Sequence, residues 1–206
     1  GSTYTYDANG NQICRVENSQ TFVQIYNAEN RFAGAMLVSG TCASPGDTLA
    51  IWAFMYDVDT PSEYTCTRVK QVYTDGSGTL TTYYFFGGAY EVQDDGSTEA
   101  ILKYYSFAGG MVAMHDGTSL KYFLTDHLSS VIAVMDASGN MLSEQRYLPF
   151  GQVRDDVGTI DETDFGYTSQ RDLPDLGLMD YRARFYSPLL GRFLQPDTLV
   201  PGAGNP

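Results

Sequence analysis

Residue types that could run a hydrolytic reaction stand together at 126 to 130, where Asp126 and His127 precede Ser129 and Ser130. A nucleophilic triad needs the carboxylate to hold the imidazole and the imidazole to reach a hydroxyl. The flanking segments read as strands, in which neighbouring side chains point to opposite faces, so an adjacent Asp and His cannot orient one another. No G-x-S-x-G elbow occurs. His127 therefore reads as a structural histidine at a strand end, and His115, one residue before a turn in AMHDGT, as a surface or cross-strand residue.

Metal and cofactor chemistry find little support. Cys14, Cys42 and Cys66 form no CxxC pair and have no histidine at metal spacing. Cys42 and Cys66 flank a strand-like LAIWAFMYD, which leaves two readings open: a disulfide between them in an oxidising compartment, or free thiols. The run DDVGTIDETD at 155–164 carries five acids in ten residues without a base. Its spacing does not meet that of an EF-hand, so a solvated surface loop is the expectation. The glycines punctuate strands and open no helix, so no phosphate cradle or dinucleotide site is expected, and no cofactor.

The elements that would have to position such residues are strands. TFVQIYN, TLAIWAFMY, CTRVKQVYT, TLTTYYFF, AILKYYSF, MVAMHD, SLKYFLTD, SVIAVMDA and MLSEQRYLPF are short and rich in Tyr, Phe, Val, Ile and Thr. Asn9-Gly10, Asp75-Gly76, Asp95-Gly96, Asp116-Gly117 and Ser138-Gly139-Asn140 separate them with the residues that accept positive φ at hairpin tips. Gly87-Gly88 and Gly109-Gly110 fall within aromatic stretches and read as bulges that bend a sheet, or as places where another strand or chain approaches closely. The expected fold is all-β, a meander of antiparallel hairpins.

Composition agrees with a folded chain: 206 residues, 43% apolar and 14% aromatic. A net charge of -13 with no basic stripe argues against nucleic acid and anionic lipid as partners. No apolar run is long enough to span a membrane as a helix. Gly1-Ser2 has the form of a cleaved-tag scar, so the natural protein is expected to continue upstream.

Turns recur about every 20 residues, and the texture recurs with them. YTYDANGNQICRV at 4–16, IYNAENRFAGAM at 25–36 and FMYDVDTPSEYTCTRVKQV at 54–72 share an aromatic, an Asp or Asn, a turn and a strand. In such a unit a ring packs on the next copy while the Asp or Asn caps the turn, and stability comes from stacking on neighbours. These motifs resemble the YD repeats of the RHS proteins and their teneurin relatives. YFLTDHLSSVIAVMDASGNMLSEQRYLPFGQV at 122–153 and DFGYTSQRDLPDLGLMDYRARFYSPLLGRFLQPD at 164–197 resemble the RHS repeat-associated core domain. The chain departs from that pattern at Ser129, where the family usually has Gly, and at Thr198, where it usually has Pro.

The resemblance implies three parts: 1–2 the scar, 3–119 the YD-repeat hairpins, and 120–206 the core segment. It also implies a curved sheet forming part of a β-shell wall, with the core segment folded inward as a plug. The partners implied are the rest of the parent polypeptide and a C-terminal effector, often a toxin released by self-cleavage at aspartates. Asp197 matches the first of those aspartates, and the second lies downstream of this sequence, so the chain is expected to be inert by itself and not to act as an enzyme. The implied localisation is a bacterial secreted or cell-surface one. Pro206 is then either a truncation or a processed end.

In the plug, Arg182 and Arg184 alternate with aromatics, and together with Phe185, Tyr186, Arg192 and Phe193 they are the expected anchor, the arginines acting as cross-braces. The open edges of such a sheet predict a homo-oligomer or a covering tail. A rival reading is an adhesion or glycan-binding module that uses Trp52, Tyr83 and Tyr84 as sugar platforms. A third is an active self-processing protease.

Overall fold

The computed structural model describes residues 1–57, 67–154 and 157–197. Thirteen strands form one sheet: β1 (Thr3–Tyr6), β2 (Gln12–Glu17), β3 (Gln20–Tyr26), β4 (Phe32–Val38), β5 (Thr48–Tyr56), β6 (Arg68–Asp75) and β7 (Gly78–Phe85). Then follow β8 (Tyr90–Asp94), β9 (Glu99–Phe107), β10 (Gly110–His115), β11 (Leu120–Thr125), β12 (Val131–Asp136) and β13 (Met141–Glu144). Each strand pairs antiparallel with the next in sequence, so the sheet is an uninterrupted meander that runs across residue 120 without a break and does not close on itself. It is a curved wall, and its register is set at the turns.

One turn recurs. In 7–11, 27–31, 126–130 and 136–140 the first residue's amide bonds the fifth residue's carbonyl, and the fourth residue's amide bonds the first residue's carbonyl. The first side chain, Asp7, Asn27, Asp126 or Asp136, accepts from amides within the turn. The fourth position is left-handed in every copy: Gly10 at φ 82, Asn30 at 61, Ser129 at 66 and Gly139 at 85. A β-bulge follows or precedes each, and this fixes which residues face the core. Asp75, Asp95 and Asp116 cap shorter turns, on the same rim as 136–140, by the same device. Hydrogen bonds from the side chain and amide of Ser77 hold the Asp75 carboxyl down at about 2.

The glycine pairs depart from the bulge reading, while the close approach expected of them is met at Gly88, where an added Cβ would fall 3.0 Å from Arg171 Nη2. Phe86–Gly88 and Ala108-Gly109 are hairpin turns and not bulges within strands, because runs of positive φ reverse the chain there: Phe86 53, Gly87 67, Gly88 88, Ala108 51 and Gly109 85.

The inward face of the wall is covered by a second, four-stranded sheet: β14 (Arg171–Leu173), β15 (Leu178–Asp180), β16 (Phe185–Ser187) and β17 (Arg192–Phe193). Phe22, Phe32, Trp52 and Phe54 of the wall share one apolar core with Leu173, Leu176, Leu178, Phe185 and Leu194 of this plug. A smaller core gathers Tyr104, Met114, Phe123, Val131 and Val134, with Ile160 and Phe165 packed on it. The wall by itself would expose one apolar face to water, and the plug removes that face.

Candidate functional site: the seam between wall and plug

Buried arginines tie the two sheets together. Arg171 of β14 is 9% exposed and ion-pairs with Glu91 of β8, which is fully buried. The same guanidinium donates to the carbonyl of Gly88 at 3.3 Å and stands 4.2 Å over the Phe165 ring and 4.9 Å over the Tyr84 ring. Burial opposes both charges and pushes the Glu91 carboxyl up, while Arg171 pulls it back down. For Arg171 burial is the largest single influence and opposes the charge, but Glu91 together with Tyr84, Tyr104 and Asp164 outweighs it and keeps the guanidinium protonated.

Two further ties flank this one. Arg15 of β2, wholly buried, bonds Glu17 at 2.6 Å, stacks 4.2 Å over Phe22 and donates to the carbonyl of Leu176 in the plug. Arg68 of β6 pairs with Asp180 of β15 at 3.3 Å and lies 4.7 Å over Tyr84. At the near rim the Gln12 amide bonds the Leu194 carbonyl at 2.8 Å, and Gln195 Nε2 bonds the Asn30 carbonyl at 3.0 Å.

The residues singled out near the end of the sequence converge on the same body. Phe185 is 1% exposed, with ring centres 4.5 Å from Phe32 and 5.2 Å from Phe54. Arg184 pairs with Asp197 at 3.0 Å and stacks 4.1 Å over Phe193. Arg192 donates to the Tyr6 hydroxyl at 2.8 Å and so braces the plug to the first strand of the wall. Tyr186 packs with Tyr181 and Phe193 and donates to the Phe150 carbonyl at 3.1 Å. Arg182 is set apart: its side chain is exposed and its backbone is left-handed at φ 68. Asp197 is half-exposed on the rim, and Thr198 and Pro206 lie outside the described residues.

Two expectations are corrected. Cys42 is bonded to Cys14, with Cα atoms 5.8 Å apart, and so cannot be bonded to Cys66, which lies outside the described residues. Strands β2, β3 and β4 bring Cys14 to the loop that carries Cys42, a proximity that the spacing of Cys42 and Cys66 around a strand did not reveal. Trp52 and Tyr84 are 4% and 6% exposed and face the plug, so of the three suggested sugar platforms only Tyr83 reaches solvent. Asp126 spends its carboxylate on the amides of Leu128 and Ser130, and Ser130 Oγ accepts from the Thr168 amide, so no triad forms around His127.

The arginines that do most of the tying, Arg15, Arg68 and Arg171, were not among the expected residues. The signal that could have found them is a charged residue at a strand position whose alternate neighbours face the core. Among the described residues no group of three or more His, Cys, Asp or Glu is placed to hold a metal ion. Among the described residues, too, no helix is long and apolar enough to cross a membrane.

Residues 91–201 match the family model of the teneurin YD-shell. Salivary gland surface protein 1 of Aedes aegypti is 37% identical over 83 residues, covering 38% of this chain and 2% of that protein. The crystal structures of TcdB2–TccC3–Cdc42 and of TcdB2–TccC3 superpose with TM-scores of 0.69 and 0.68 at 16% identity, covering 96% of this chain and 12% of theirs. The Photorhabdus luminescens Tc holotoxin pore gives 0.55 at 13% identity, over 94% of this chain and 14% of that one. At such identities these likenesses speak to the fold alone, and they include both wall and plug. The chain spans a small part of each relative.

Proposed function

Because the chain belongs to the teneurin YD-shell family, we propose that its wall and plug form the closing part of a containment shell, in which the plug anchors a C-terminal effector and keeps it from its surroundings until delivery. The observation that carries this reading is the shared core: Phe185 among Phe32 and Phe54, bracketed by Arg171–Glu91 and Arg68–Asp180. A plug fixed by buried contacts holds whatever follows it in the sequence at a defined place on the inner wall. The partners on this reading are the rest of the parent polypeptide and the effector, and the setting is secreted or at a bacterial cell surface, where the Cys14–Cys42 disulfide persists.

The test uses the parent shell with an enzyme passenger placed after the plug. The passenger's activity is expected to stay silent until the shell is opened by denaturant, and a passenger fully active in the intact shell would overturn the reading.

Asp197 enters as the first carboxylate of a self-cleaving pair, held at the rim by Arg184. An aspartic mechanism needs a second carboxylate to share a proton. Cleavage is therefore expected only in a chain extended to include that second group, and Asp197→Asn is expected to abolish it. Cleavage that persists in Asp197→Asn removes Asp197 from the chemistry.

The meander also has two outer edges, on β1 and β13, to which no described strand is paired. Unpaired edges recruit strands. In isolation the chain is expected to run as a dimer or larger species by light scattering, and a monomer at every concentration contradicts this.

A further inference from the structure

In an antiparallel meander alternate turns lie on the same rim, so Phe86–Gly88, Ala108-Gly109 and 126–130 stand side by side on one rim of the wall, about 10 Å apart. The opposite rim carries the turns of Asp75, Asp95, Asp116 and Asp136. Charge is segregated between the two. No charged residue occurs from Phe85 to Tyr90 or from Tyr104 to Met114, in a protein of net charge -13. At the third tip the Asp126 carboxylate accepts from the amides of Leu128 and Ser130, and the Leu128 side chain is exposed.

The rings at the other two tips are Phe86 and Phe107, 87% and 78% exposed, more than any other large apolar side chain among the described residues. Phe86 holds φ 53. Left-handed backbone at a bulky residue is strained, and no packing of the Phe86 ring offsets that strain. Behind the tips, on the outer face of the wall, lie the half-exposed Tyr83, Tyr105 and Tyr122, whose strand neighbours Tyr84, Tyr104 and Phe123 are buried. The amines of Lys70 and Lys103 stand 5.0 and 5.9 Å over the rings of Tyr83 and Tyr90. Apolar rings thus form the tips, with phenols and amines in the band behind them.

That layering matches the boundary of a bilayer, where apolar side chains enter the acyl region, Tyr sits at headgroup level and Lys extends its amine toward water. Exposed apolar groups of this kind mark a protein or a membrane contact. A folded partner binds through a contiguous, complementary surface, whereas Phe86 and Phe107 touch almost nothing of their own chain and stand singly. A bilayer takes up single rings without shape complementarity. The net charge is repelled by anionic headgroups, which leaves a zwitterionic surface. We infer that this rim docks on a zwitterionic lipid bilayer, with Phe86, Phe107 and Leu128 inserted. The inference goes beyond the containment reading and does not depend on it.

The probe is unilamellar vesicles of phosphatidylcholine, with binding of the whole chain read by flotation. The chain is expected to float with the vesicles, equally at low and high salt, because the Phe86 and Phe107 tips carry no charge. Phe86→Asp and Phe107→Asp should each weaken partitioning roughly tenfold, and the two together should abolish it. Both rings are exposed and Asp tolerates left-handed backbone, so the urea midpoints of these variants should match that of the unaltered chain. Leu49→Asp removes a half-exposed apolar side chain at the other end of β5, near the opposite rim, and should float normally. No flotation, release by salt, undiminished binding by either Phe variant, or an equal loss in Leu49→Asp would each overturn the inference. So would a dimer, seen by light scattering, that Phe86→Asp dissolves while vesicles are ignored, since the rim would then belong to a second copy.

Discussion

The ring of Phe185 in the plug sits 4.5 Å from that of Phe32 in the wall, and both side chains are 1% exposed. Each sheet thus completes the other's core. Truncating a buried Phe to Ala costs about 3–5 kcal/mol through lost transfer energy and the cavity left behind. Phe185→Ala is expected to lose stability on that scale by urea denaturation. Limited proteolysis should then cut within 165–197 while the wall strands persist, and a variant with unchanged protease resistance would mean that the plug is held by other contacts.

The Arg171–Glu91 pair makes a second prediction because both partners are almost fully removed from water. Removing one partner leaves an uncompensated buried charge, at about 3–5 kcal/mol, whereas replacing both by apolar residues of similar volume is often neutral. Glu91→Leu and Arg171→Met should each destabilise strongly, and the two together should recover most of the loss. Denaturation midpoints of the singles and the double decide it, and additive losses would show that no coupling exists.

Much of the wall was legible from sequence and its inner face was not. The capped turns at Asp7, Asp116 and Asp136 announce themselves because Asp and Gly side-chain chemistry is local. The facing of strands is harder to read: in β5 the inward Trp52 and Phe54 alternate with outward Ile51 and Met55, which are 41% and 51% exposed, so both faces read as apolar. With parity hidden, the alternation that would have placed Arg15, Arg68 and Glu91 inside could not be read. Gly87-Gly88 was misread for a related reason, since aromatic residues on both sides continue the strand pattern through the turn.

Asp172 gives the pH dependence. Burial pushes its carboxyl up to about 6, with Asp164 adding to the rise and the Leu173 amide opposing it. A folded pKa above the unfolded one means that this group's contribution is complete below about 4 and is lost as pH climbs through about 6. Asp172→Asn should therefore raise stability by roughly 2 kcal/mol at pH 8 and leave it nearly unchanged at pH 4. Urea titrations at both pH values test this, and an equal effect at both would mean that the carboxyl is not titrating in this range.

The disulfide sets a redox expectation. Cys14 and Cys42 enclose a separation of 28 residues, and closing a loop of that size stabilises by about 3.6 kcal/mol in the chain-entropy account. Reduction, or Cys42→Ser, should lower stability by that order, and a peptide map of the unreduced protein should join the Cys14 and Cys42 peptides. A map joining Cys42 to Cys66 would contradict the fold of the first three strands.

Two turn positions separate strain from space. Ser129 holds φ 66, where glycine pays no steric penalty, so Ser129→Gly should gain up to about 1 kcal/mol. Gly151 has φ 88, and an added Cβ would fall 2.6 Å from a Tyr167 ring carbon, itself fixed by a bond from its hydroxyl to the Pro149 carbonyl. Gly151→Ala therefore meets both a forbidden dihedral and a ring that cannot withdraw cheaply, and should cost about 2–3 kcal/mol. The two variants act in opposite directions at turns of the same form, because 148–152 repeats the bonding of 126–130. If both shifted the melting temperature the same way, backbone handedness would not be what selects the residue at the fourth position.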